Sequence, residues 1–176
     1  MRRRQLAKTN APTLSVRAAR FEDVAAILRL IEDAIEHGCS EHYEGAQRRA
    51  IYLSYASQLF VDAVGPFEML VAEIGGQLAA AAQVDLRDGA LRALFVDAAL
   101  QGHGLGRALL AAVERRARAA GCAQLRGAMS LNAVAFYARA GFRPCVGQAS
   151  LVSAGVRVPV MWMEKALRGR GPVPSP

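Results

Sequence analysis

Six consecutive residues, Gln101-Gly102-His103-Gly104-Leu105-Gly106, carry the strongest chemical signal in the sequence. Three glycines at alternate positions stand between a strand-like run, Ala90 to Val96, and a run of helix formers free of glycine and proline, Arg107 to Ala120. Without a Cβ, glycine takes positive φ and lets backbone N–H groups come close to a ligand, while the N-terminus of the following helix adds partial positive charge. The stretch reads as an anion cradle of a size that suits a pyrophosphate, or as a plain turn joining a strand to a helix. Spacing narrows the first reading. A G-x-G-x-x-G fingerprint would need glycine where Arg107 or Leu109 stands, and no Gly-Lys-Ser/Thr follows, so neither the dinucleotide nor the P-loop pattern fits. What remains is Q-x-x-G-x-G.

A second group lies at Ser130 to Phe142, where Asn132, Phe136-Tyr137 and Gly141-Phe142 share a short helical stretch with Ser130 or Asn132 as N-cap and Gly141 as stop. A third is the polar run Glu36-His37-Gly38-Cys39-Ser40-Glu41-His42-Tyr43, rich in titratable groups. Asp85, Glu68, Glu41, His37 and His42 are candidates for a general base, and no motif favours one of them. Cys39, Cys122 and Cys145 show no C-x-x-C or Cys/His spacing, so no metal site is expected, His103 included.

These groups must be positioned by one domain, since 176 residues suffice for a single core burying about 70% of the unfolded surface. Hydrophobic residues at 53% against 21% charged exclude a wholly disordered chain. The net charge of +7 suggests nucleic acid until it is located: Arg2, Arg3, Arg4, Lys8, Arg168 and Arg170 lie in the ends, and the body keeps only +1. No nucleic-acid partner is expected. An odd number of cysteines, a basic start with no apolar run behind it, and no long uncharged apolar segment point to a reducing, cytoplasmic setting without a membrane.

Along the chain, residues 1 to 13 read as a flexible basic tail, residues 14 to 167 as the domain, and residues 168 to 176 as a second tail. Leu14 to Arg17 alternates as a strand does. Val24, Ile27, Leu28, Ile31 and Ile35 recur at helical spacing, with Glu22 and Asp23 before them and Gly38 after. Glu44 to Leu59 reads as a second helix with Ala50, Leu53 and Ala56 inward and Arg48 and Arg49 outward. Strands follow at Phe67 to Ile74, Leu78 to Leu86 and Ala90 to Val96, joined by the hairpin signals Gly75-Gly76 and Asp88-Gly89. After the glycine loop, Leu109, Leu110, Val113 and Ala117 hold the inner helix face and Glu114, Arg115, Arg116 and Arg118 the outer one, with Gly121 as C-cap. Cys122 to Met129 is a strand, and two more follow the short helix, near Pro144 to Val152 and Val156 to Lys165.

Element order and the two glycine- and aromatic-containing motifs together resemble the GNAT superfamily of N-acetyltransferases, of the small stand-alone bacterial type, across Leu14 to about Leu167. The resemblance implies an α/β fold, a mixed and largely antiparallel six- to seven-stranded sheet flanked by about four helices. It further implies acetyl-CoA as cosubstrate. Leu94, Phe95 and Val96 would pair with the pantetheine arm, and the amides of Gln101, Gly102, His103, Gly104, Leu105 and Gly106 would hold the pyrophosphate. Asn132 would contact the pantetheine side and Tyr137 would lie near the sulfur as the catalytic group. The family often has Arg or Lys where His103 stands and Pro where Ala98 stands. Direct acetyl transfer to an amine of a small molecule or a peptide N-terminus is the implied activity, with a non-catalytic acyl-CoA-binding module as the alternative. Monomer and homodimer are both open. The superfamily builds its acceptor site between the first two helices, so the His37 to Tyr43 run is read as an acceptor wall including Tyr43, or as a polar linker.

Overall fold

Strands with apolar residues on both faces need a helix layer on each side. The computed structural model, which describes residues 13–62 and 68–167, has that arrangement. Chain order is β1 (Leu14–Ala18), α1 (Val24–Gly38), α2 (Gly45–Asp62), β2 (Glu68–Ile74), β3 (Gln77–Asp85), β4 (Ala90–Val96), α3 (Leu105–Ala119), β5 (Gln124–Ser130), α4 (Val134–Arg139), β6 (Arg143–Ser153) and β7 (Val156–Ala166). The expected tails, apart from Thr13, and Phe67 at the start of the expected Phe67 to Ile74 strand lie outside the described residues.

The seven strands form one sheet in the order β1-β2-β3-β4-β5-β7-β6, antiparallel except for the β4–β5 pair. Period two distributes β2 to both faces. Leu70 and Ala72 join Leu109, Leu110, Val113 and Tyr137 under α3 and α4, whereas Met69 and Val71 join Ile27, Ile31 and Ile35 of α1 on the other face. Four alanines in a row, Ala79 to Ala82, are buried in β3 and let both layers approach the middle of the sheet closely.

Two corrections concern helix faces. On α2, Ala50 is buried as expected, but Leu53 is 37% exposed; Ile51, Tyr52 and Tyr55 pack inward instead. Aromatic rings, longer than the alanines that suggested the stripe, reach the sheet from a position rotated around the helix. On α3, Glu114 is only 9% exposed rather than outward. Lys165 of β7 donates to its Oε1 at 2.5 Å and Arg118 to its Oε2 at 3.0 Å, which compensates the buried charge.

Where the sheet changes from antiparallel to parallel it also opens. β4 and β5 share one registered pair, Ala90 with Arg126, and the Arg126 N–H donates to the Gly89 carbonyl at 3.0 Å. Gly127 permits this seam, since a Cβ there would lie 2.4 Å from the Leu91 carbonyl oxygen. Beyond it the two strands diverge. On its other edge β4 carries a bulge: Gln83 pairs with Ala93 and Val84 with Leu91, which leaves Arg92 as the extra residue.

Candidate active site

The divergence of β4 and β5 creates a cleft of about 770 Å³ that continues between α3 and α4. Leu94, Phe95 and Val96 line it from β4, and their outer backbone edge has no strand partner in the sheet. Such an edge offers N–H and C=O groups to an extended ligand bearing amides.

The glycine loop closes one end. Gly102 and Gly104 have φ of 81° and 80°. A Cβ at either would meet nothing within 4 Å, so the left-handed backbone rather than crowding demands glycine, and the loop faces open space. Gly104 is the N-cap of α3, its carbonyl accepting the Ala108 N–H at 3.0 Å. Gly106 departs from expectation. It lies inside the first turn of α3, and its bare Cα admits the Phe136 ring and Val96, each 3.4 Å from the position of a Cβ.

Gln101, Gly102, Gly104, Leu105 and Gly106 all line the cleft. His103 alone of the stretch does not: it is exposed and aims Nδ1 at the carbonyls of Gln101 (3.0 Å) and Leu100 (3.3 Å). Arg107, Arg139 and Lys165 also line the cleft, and Arg107, in the first turn of α3, adds positive charge beside the helix N-terminus. Periodicity alone had no means of selecting them. Glycine-loop amides, a helix start and the Arg107 guanidinium fit a phosphate-bearing ligand, whereas Lys165 is taken up by Glu114.

Asn132 lines the cleft but caps nothing, and neither does Ser130. The Asn132 amide instead donates to the Gly38 carbonyl at 3.0 Å, and its Oδ1 accepts from the Cys39 thiol at 3.5 Å, tying α1 to the start of α4. Cys39 also faces the cleft, and burial pushes its thiol up to about 11, so it stays protonated. Tyr43 is buried: it holds the chain together from inside, through hydrogen bonds to β7 and to the α4 entry.

Tyr137 lies at 5% exposure in the cleft wall, its ring edge-on to Phe136 at 5.0 Å and to Phe142 at 5.2 Å. Its hydroxyl has no hydrogen-bond partner among the described residues. Burial, then the neighbouring Tyr55, raise its pKa, so the proton stays on the phenol.

None of the five base candidates lines the cleft. Arg87 grips Asp85 through both guanidinium and backbone and holds its carboxyl well below the usual carboxylate range. Glu68 pairs with Arg116 at 2.7 Å, and His37 directs Nδ1 at the Asp33 carbonyl. Among the described residues the only carboxylate in the lining is Glu114, already paired. No group of three metal-ligating side chains occurs among the described residues, and no described helix is long and apolar enough to cross a membrane.

Comparison with known proteins agrees with this geometry. A GCN5-related N-acetyltransferase from Rhodopseudomonas palustris superimposes with a TM-score of 0.82 at 23% identity, over 89% of this chain and 97% of that one. A PaiA N-acetyltransferase from Thermoplasma acidophilum, solved with coenzyme A, gives 0.69 at 15% identity over 88% and 99%. The ribosomal-protein-S18-alanine N-acetyltransferase from Escherichia coli gives 0.66 at 22% identity over 91% and 97%. These likenesses establish the fold. No curated protein sequence matches the chain. The family model described as an acetyltransferase (GNAT) domain matches residues 43–165. With the split sheet, the glycine cradle and that match over most of its length, the chain belongs to the GNAT family of acetyltransferases and is an acyltransferase.

Proposed function

We propose that the protein transfers acetyl from acetyl-CoA directly to an amine of a small molecule or a peptide N-terminus. The observation that carries this reading is the pairing of an open β4 edge with an unpartnered Tyr137 hydroxyl in one cleft, the glycine cradle at its end. Acetyl-CoA, when bound, supplies an acyl group already activated as a thioester. The amides of Gly102 to Gly106 and the α3 N-terminus hold its pyrophosphate, and the backbone of Leu94 to Val96 aligns the pantetheine arm. Tyr137 gives its proton to the sulfur as the C–S bond breaks, and the proton shed by the nitrogen as the C–N bond forms restores it. Because the lining offers no unpaired carboxylate among the described residues, the amine is bound in its neutral form, having lost its proton to solvent.

The residues described as a single domain, 14 to 167, form one sheet with both helix layers, which supports reading them as one folding unit. The test is CoA release across a panel of small amines and peptides with free N-termini. Release with one class names the acceptor; coenzyme binding without release with any amine would reduce the reading to a binding module.

A further inference from the structure

Tyr55 has a position that the coenzyme cradle does not explain. It sits on α2, on the face of the sheet opposite α3 and α4, with its ring edge-on to Phe95 at 4.9 Å and 84° between planes. Phe95 is a β4 residue in the cleft lining, so Tyr55 backs directly onto the split between β4 and β5. Its side chain is half-buried. Among the described residues its hydroxyl has no hydrogen-bond partner, and it is not one of the polar atoms sealed from solvent without one, so a ligand can bond it. Cys39, a cleft-lining residue, and Tyr43 lie close enough to act on it electrostatically, and it acts in the same way on Tyr137. Tyr55 therefore stands behind the Phe95 wall of the cleft, on the face of the sheet opposite Tyr137.

We infer that Tyr55 orients the acceptor: from α2 its hydroxyl oxygen accepts an N–H of the neutral amine within the β4–β5 gap, opposite Tyr137, and so turns the nitrogen lone pair toward the acyl carbon. This rests on the acetyl-transfer reading above. The role follows from the chemistry of the group. Burial pushes the phenol up to about 12, so Tyr55 keeps its proton and is no base; a neutral oxygen with free lone pairs fixes an amine by hydrogen bonding and leaves it nucleophilic. Tyr137 faces the leaving sulfur and Tyr55 the entering nitrogen, so the two phenols divide the reaction between the two faces of the sheet.

The test compares wild type, Tyr55→Phe and Tyr52→Phe on one amine that the wild type acetylates. Tyr52 is the control, a neighbour on the same helix whose ring lies under Arg49 at 5.6 Å. Tyr55→Phe is expected to lower kcat/KM for the amine about 10-fold, the upper range for one neutral hydrogen bond. Acetyl-CoA affinity by calorimetry and melting temperature should stay at wild-type values, because the deleted hydroxyl bonds none of the described residues. Tyr52→Phe should behave as wild type. Wild-type kcat/KM in Tyr55→Phe overturns the inference, as does a loss matched by falling coenzyme affinity or stability, which would mark a packing role. A wild type that binds acetyl-CoA but releases no CoA with any amine overturns the transfer reading itself, and the orienting role with it.

Discussion

Tyr43 and Leu131, 88 positions apart, are joined by a hydrogen bond in which the Leu131 N–H donates to the Tyr43 hydroxyl at 2.8 Å. The same hydroxyl donates to the Pro159 carbonyl at 2.8 Å. One phenol thus links the α1–α2 junction to the entry of α4 and to β7, three segments that border the cleft. Asn132 reinforces the link one residue further on, through Gly38 and Cys39.

Tyr43→Phe leaves both a backbone N–H and a carbonyl without their partner in the interior. The expected loss of stability is about 1–3 kcal/mol, read as a lower urea midpoint at unchanged slope. An unchanged midpoint would mean that water replaces the hydroxyl at no cost.

Gly104→Val places a β-branched residue at φ 80°, in the left-handed region. The cost is on the order of 1–3 kcal/mol of stability, and acetyl-CoA should no longer raise the melting temperature because the loop amides are displaced. Retained coenzyme stabilisation in a folded variant would remove the cradle assignment.

Tyr137→Phe should keep the fold, because the hydroxyl has no partner among the described residues. Its kcat should fall by about 10- to 10⁴-fold at constant coenzyme affinity, since a proton delivered to the departing sulfur matters only as charge builds there. Wild-type kcat under chemistry-limited conditions would assign Tyr137 to packing alone.

Asp85 sets a pH dependence of stability. Its pKa is held below that of the unfolded chain by Arg87, with Arg92 assisting, so its contribution is complete above the unfolded value. That contribution declines as pH falls from about 5 toward the folded value, since the unfolded chain takes up the proton first. Asp85→Asn should cost about 1–3 kcal/mol at pH 7, with the gap to wild type narrowing at pH 3.5. A gap that stays constant between those two pH values would exclude a titrating Asp85 as its source.

Much of this was legible in the sequence because it depends on local rules. The α1 stripe from Val24 to Ile35, the hairpins and the glycine loop follow from periodicity and backbone freedom, and each element lies within a few residues of its expected bounds. What escaped depends on contacts across the chain. Glu114 reads as an outer helix residue until Lys165, 51 positions later, reaches it. Asn132 reads as a helix cap until Gly38 takes its amide, and Gly106 reads as a third left-handed glycine until Phe136 packs on it. Tyr55 had no motif to mark it, since an aromatic at helical spacing is ordinary core in the absence of an opening beyond it. No motif favours a general base among Asp85, Glu68, Glu41, His37 and His42, and the described lining has no unpaired carboxylate to take that part.

At the root where β4 and β5 part, Gly127 lets β5 approach the Leu91 carbonyl. A methyl group there must push the strands apart at the root of the split, and a small displacement at a root is magnified at the tips. Gly127→Ala would therefore alter the grip on the donor and the approach of the acceptor together, through a single angle.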